Sequence, residues 1–218
     1  MKFSECPSVA ICPNLSKRVE NFLAFIEKRY PSPTCALIHK NPYELLCATI
    51  LSAQCTDKQV NKTTPNLFKQ YPSPKALSEA DITHIEQIVR STGFYRNKAK
   101  ALVNMAKAVI ERHGGAIPDT LADLEKLPGV GRKTANVLLG NVFNTHALVV
   151  DTHVIRITNK LAFVDTLDPL KAELELMKII DKERWTNFSH QVIFLGRDLC
   201  SARSPRCDIC LPELIGGG

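Results

Sequence analysis

Apolar residues recur at three- and four-residue spacings along almost the whole chain, which restricts it to an assembly of helices. Val19, Phe22, Leu23 and Ile26 mark a first helix that ends before Pro31-Ser32-Pro33. Pro42 is placed to open a second, carrying Leu45, Leu46, Thr49 and Ile50. Asp57 is expected to cap a third with Val60, Leu67 and Phe68, which Pro65 should bend or shorten. Asp81 precedes Ile82, Ile85, Ile88 and Val89, and a long helix from about Arg96 to His113 should stop at Gly114-Gly115. Further helices are expected from Thr120 to about Lys126, Arg132 to about Phe143, Asp151 or Thr152 through Leu161, Leu170 to Ile180 and Trp185 to Leu195. Strand signals are nearly absent, since Ala147-Leu148-Val149-Val150 is an apolar run of only four. The fold class is therefore all-α.

A chain of 218 residues can bury the core of one large or two modest domains. Twenty-eight Lys and Arg against 22 Asp and Glu leave a formal charge of +6, which suits a polyanionic partner without requiring one. No run of eighteen apolar residues exists, so a membrane span is not expected. Cys6-Pro7 and Cys12-Pro13 interrupt the N-terminus, which disfavours an export signal and points to the cytoplasm. Eight cysteines in such a chain argue against structural disulfides. Cys47 lies within Leu45-Leu46-Cys47-Ala48 and reads as a buried, inert thiol. Cys200, Cys207 and Cys210 form a cluster that points to metal. Spacing alone does not separate zinc from iron–sulfur, and His190 completes a Cys3His zinc site on paper.

One segment carries chemistry. Leu127-Pro128-Gly129-Val130-Gly131-Arg132-Lys133-Thr134-Ala135 has the form of a helix, a two-glycine hairpin and a second helix. Gly129 and Gly131 can take positive φ and let a partner approach the backbone. The hairpin amides and the positive end of the second helix make a seat for a phosphate. Lys133, in the first turn of that helix, would ordinarily be merely solvated. Arg132 and the helix terminus, however, both penalise an ammonium and favour the free amine. A free amine can attack the sugar carbon that carries a base, expel the base and leave an imine. The imine acidifies the neighbouring sugar proton, so elimination of the 3′ phosphate can follow. Asp151 lies eighteen residues after Lys133 and would be explained by helix capping alone. A carboxylate there also suits a cationic sugar and the deprotonation of Lys133, and the two roles are compatible.

These residues resemble the helix-hairpin-helix and catalytic loop of the endonuclease III family of DNA glycosylases. Leu51-Ser52-Ala53-Gln54-Cys55-Thr56-Asp57, Gly93-Phe94-Tyr95-Arg96-Asn97-Lys98-Ala99 and the C-terminal cysteines fall in the family's order, from about residue 17 to 210. The resemblance implies a two-lobed helix-hairpin-helix glycosylase fold. A helical, barrel-like domain over 36–145 would end in the hairpin, and 1–35 plus 146–218 would form a discontinuous iron–sulfur domain, with DNA across the cleft. It implies a monomeric, bacterial-type, nucleoid-associated base excision repair enzyme, with Lys133 and Asp151 catalytic. Its partner would be duplex DNA holding a damaged pyrimidine or an abasic site. The presence of Lys133 places the chain with the branch that both removes a base and cuts the strand. A thymine- or uracil-mismatch glycosylase and a non-catalytic DNA-binding module are the alternatives.

By the same resemblance, Gln54 enters the gap left by an extruded base and Phe94, where the family often has Leu, is an apolar wedge. Gly129, Val130, Gly131 and Arg132 would contact DNA. The bland readings are a helix cap for Gln54 and core for Phe94. Arg96, Lys98 and Lys100 read as a solvated helix face or as phosphate contacts. The family's cysteine motif surrounds a 4Fe–4S cluster, and Cys200, Cys207 and Cys210 match its first three positions. The fourth position is Gly216. That departure leaves a non-cysteine ligand, a thiol borrowed from Cys6 or Cys12, or an unnatural chain end as explanations.

Overall fold

The computed structural model describes residues 6–215, so Gly216 lies outside the described residues. Thirteen α-helices form there and no strand does. In order they are α1 Ser8–Ile11, α2 Leu15–Arg29, α3 Pro42–Ser52, α4 Asp57–Gln70, α5 Pro74–Ser78, α6 Ile82–Val89 and α7 Tyr95–His113. They continue with α8 Leu121–Leu124, α9 Arg132–Val142, α10 Thr152–Lys160, α11 Pro169–Leu176, α12 Trp185–Asp198 and α13 Cys207–Ile215. The chain divides into two compact units, Cys35–Thr145 in one and the stretches on either side of it in the other.

Local chemistry sets most boundaries in the Cys35–Thr145 unit. Asn41 caps α3 by accepting the Glu44 amide at 2.9 Å, with Pro42 at the first helical position. Thr56, rather than Asp57, caps α4, and Asp57 occupies the first turn where its charge favours the helix dipole. Pro65 does not shorten α4, which runs on to Gln70. Val60, Thr63, Thr64 and Leu67 are all buried along this helix, and their packing outweighs the one backbone bond that a proline forfeits. Gly114, at φ +59°, ends α7. The core is built from fully buried Leu45, Leu46, Leu67, Ile85, Leu102 and Met105. Cys47 is buried within it, and burial pushes its thiol far above the ordinary cysteine range.

The other unit packs around the α2 stripe of Phe22, Phe25 and Ile26. Phe22 meets Phe163 edge-on at 5.4 Å between ring centroids and Phe188 at 6.3 Å. Ala147–Val150 is buried but forms no strand, and the Val149 amide donates to the Ser189 hydroxyl on α12 at 2.8 Å. Buried Arg18 donates to the carbonyls of Cys12 (2.8 Å), Pro13 (3.0 Å), Leu161 (2.8 Å) and Ala162 (3.2 Å). It thereby ties the N-terminal segment to the end of α10.

Candidate functional site

The hairpin between α8 and α9 closes through the Val130 amide, which donates to the Leu127 carbonyl at 3.1 Å, and both side chains are buried. The two glycines do different jobs. Gly129 has φ +78°, and a Cβ there would stand 2.9 Å from the Ala101 Cβ. Gly131 does not take positive φ: it caps α9 at φ −97°, and an added Cβ would meet nothing within 4 Å. Gly129 is therefore demanded by packing within the unit. Gly131 instead leaves open space in front of the first amides of α9, which no side chain caps. Lys133 is exposed in that first turn, which holds no acidic residue.

Two strained turns lie in the same unit. Gln54, exposed between α3 and α4, has φ +52°, and Phe94, which opens α7, has φ +46° after Gly93 at +70°. Left-handed backbone costs non-glycine residues about 1–2 kcal/mol each. Phe94 is 63% exposed, so the core reading for it is excluded. Lys98 links the two turns. It is not on a solvated face but buried, donating to the Leu51 carbonyl at 2.8 Å and the Thr92 carbonyl at 2.6 Å. Burial pulls its ammonium below the ordinary lysine value, partly offset by Cys55. The spacing 98, 102, 105, 109 places it on the inner face of α7, a signal present in the sequence. Of its two charged neighbours, Arg96 lies 4.0 Å from Glu86 and over the Tyr95 ring, and Lys100 is exposed.

Asp151 caps α10. Its Oδ1 accepts the His153 amide at 2.8 Å and the Val154 amide at 2.9 Å, so the cap uses one carboxylate oxygen alone. Farther along α10, Arg156 donates to the Cys200 carbonyl at 2.7 Å and to His153 Nδ1 at 3.2 Å. Gly196 of α12 passes against the His153 ring so closely that any side chain at 196 would collide with it. The helix that carries Asp151 is thus locked to the segment that carries Cys200.

Cys200, Cys207 and Cys210 line one cavity of about 270 Å³. His190 does not line it, and burial pulls its imidazole below the ordinary histidine value. Among the described residues no three His, Cys, Asp or Glu side chains come together in a way that holds a metal ion. A four-iron cube binds each thiolate at a separate corner and so needs sulfurs spread around a chamber, which suits this cavity. Burial raises the Cys200 and Cys210 thiols, the latter to about 12, so a thiolate here needs positive charge beside it. Sequence reasoning placed these three cysteines together and left open whether Cys6 joins them. It does line the same cavity.

A model of the HhH-GPD superfamily of base excision DNA repair proteins matches residues 47–182. The chain is 45% identical over 195 residues to endonuclease III of Synechocystis sp., covering 89% of each protein. This chain belongs to the endonuclease III family of the HhH-GPD superfamily. Among solved structures, a non-covalent endonuclease III–DNA complex superposes with a TM-score of 0.87 at 42% identity, covering 93% of this chain and 96% of that one. A trapped endonuclease III–DNA covalent intermediate gives 0.85 at 43% identity, covering 88% and 91%. The superfamily match takes in Gln54, Phe94, the hairpin and Asp151 but ends before the three C-terminal cysteines. No helix among the described residues is long and apolar enough to cross a membrane.

Proposed function

We propose that this HhH-GPD protein is a bifunctional base excision repair enzyme. It removes oxidised or otherwise damaged pyrimidines from duplex DNA as an N-glycosylase and cleaves the abasic site by β-elimination as an AP lyase. The supporting observation is that an endonuclease III of 43% identity was captured as a covalent intermediate with DNA, while α9 of this chain carries a single lysine, in its first turn.

Duplex phosphate sits against the N-terminus of α9 at Gly131 and Arg132, with Gly129 and Val130 shaping the hairpin beneath. Gln54 fills the space vacated by the flipped nucleotide and Phe94 wedges beside it, their strained turns fixed before DNA arrives. Asp151 takes a proton from the Lys133 ammonium and faces the developing positive charge on the sugar. Lys133 Nζ then bonds to the sugar carbon as the base leaves with the electron pair of its glycosidic bond. Loss of water-exchangeable nitrogen protons and opening of the ring give the imine. Removal of the adjacent sugar proton expels the 3′ phosphate, and water releases Lys133 for another turnover.

The endonuclease III family carries a 4Fe–4S cluster. Cys200, Cys207 and Cys210 would hold it here. Glycosidic cleavage transfers no electrons, so the cluster's contribution is cross-linking the loop that bears Arg203 and Arg206. Borohydride reduction on duplex DNA with an abasic site tests the proposal: it should yield a stable enzyme–DNA adduct, absent for Lys133→Gln. An adduct of undiminished yield in that variant would assign the nucleophile to another amine.

A further inference from the structure

We propose that Cys6, from the N-terminal segment, is the fourth thiolate ligand of the iron–sulfur cluster, in place of the position occupied by Gly216. The inference rests on the cluster reading above and concerns which residue completes it. A four-iron cube has four corners, and three are provided for by Cys200, Cys207 and Cys210. Cys6 lines the same cavity of about 270 Å³. No other cysteine, and no histidine, aspartate or glutamate, is among the described residues that line it.

The segment holding Cys6 is built into the unit and does not merely pass by. The Cys6 amide donates to the Lys160 carbonyl at the end of α10 at 2.7 Å, and its carbonyl accepts the Val9 amide at 2.9 Å. The hydroxyl of buried Ser8 donates to Cys6 Sγ at 3.2 Å. Such a bond orients a sulfur ligand and stabilises its negative charge. Arg18 pins the following Cys12–Pro13 carbonyls to the loop after α10. The cavity wall is otherwise apolar except for Lys160, and Arg156 reaches the Cys200 carbonyl from behind. Those two cations offset the net negative charge of a cluster with four thiolates. Cys12 is held elsewhere: its thiol points to the Asn14 carbonyl at 3.8 Å.

Iron and sulfide should be loaded anaerobically into the full chain and into the Cys6→Ser and Cys12→Ser variants. Iron per chain and the rate of iron loss to a chelator are then measured. Cys12→Ser should match wild type, and Cys6→Ser should lose iron at least about tenfold faster. The double variant Cys6→Ser/Gly216→Cys, which restores a thiol at the family's spacing, should recover much of that loss. A Cys6→Ser protein as iron-retentive as wild type would overturn the assignment. Alkylation of wild type read by mass spectrometry gives a second measurement, independent of whether a variant folds. Cys6 should be protected when iron is present and modified after it is stripped, with Cys12 equal in both. Equal modification of Cys6 in both states would also overturn it. Failure of wild type to take up any iron–sulfur cluster would instead refute the cluster reading itself.

Discussion

The buried Lys98 ammonium donates to the Leu51 carbonyl at 2.8 Å, joining the first turn of α7 to the last turn of α3. Its second bond, to Thr92, makes one side chain the common support of the turns that present Gln54 and Phe94.

Replacing Lys98 with Met keeps the volume of the stem and leaves two buried carbonyls without a donor. The expected loss is about 2–4 kcal/mol of stability, since each orphaned acceptor costs roughly 1–3 kcal/mol and removal of a buried cation returns part of it. Denaturant unfolding checks this. Excision from damaged duplex should fall more than lyase action on a pre-formed abasic site, where less extrusion is required. Equal falls on both substrates would reduce Lys98 to a purely structural role.

Asp151→Asn separates the two roles of that residue, because Asn caps a helix about as well as Asp. The melting temperature should move little, while turnover falls by about 10²–10⁴-fold through loss of the carboxylate. Asp151→Ala should lose the same activity and a further ~1 kcal/mol of stability. Near-normal turnover of the Asn variant would leave capping as the whole explanation.

Gly129→Ala should destabilise by about 2–4 kcal/mol, the sum of left-handed strain and the contact with Ala101. Gly131→Ala meets nothing and should cost under about 1 kcal/mol, a weaker cap being the only penalty. Its effect should instead fall on DNA affinity, by about tenfold, because the new methyl intrudes where a phosphate approaches. Paired melting and binding titrations distinguish these outcomes, and a Gly131→Ala protein with unchanged affinity would remove the hairpin from the DNA contact.

Asp198 gathers Arg29 at 3.2 Å, the Tyr30 hydroxyl at 3.0 Å and Arg206 at 2.7 Å, just before the cysteine loop. Burial pushes its carboxyl up, but the Tyr30 and Arg29 bonds and the Arg206 charge outweigh that and hold it below the ordinary value. The folded state therefore releases this proton more readily than the unfolded one. The resulting stability is present above about pH 4, the unfolded aspartate value, and is lost as pH falls through the lower folded value. Asp198→Asn should destabilise by roughly 0.5–1 kcal/mol at pH 7, discounted for exposure, and the gap from wild type should narrow steadily in urea melts taken below about pH 4.

Helices whose apolar faces are long and whose ends carry Asn, Asp, Pro or Gly were legible from the sequence, as α3, α6 and α7 show. Short α1 and α5 were not, because about one turn offers too few positions for a period to register. Thr56 and Asp57 are adjacent capping residues, and only the fold decides between them. Lys133, Asp151 and the three spaced cysteines stood out because chemistry restricts residue type and interval. Lys98 was hidden by the company of two exposed cations. Cys6 was one of two equal N-terminal candidates, and nothing local shows which faces the others across some two hundred residues.

The discontinuous unit also imposes a timetable. Phe22 packs on Phe163 and Phe188, while a whole compact unit, Cys35–Thr145, is encoded between them. On a ribosome adding about 5–20 residues per second, the apolar stripe of α2 waits on the order of ten to thirty seconds for its partners to emerge. Before that interval ends, the intervening unit has all of its own chain available. The stripe of Phe22, Phe25 and Ile26 meanwhile lacks the later residues that bury it in the folded unit.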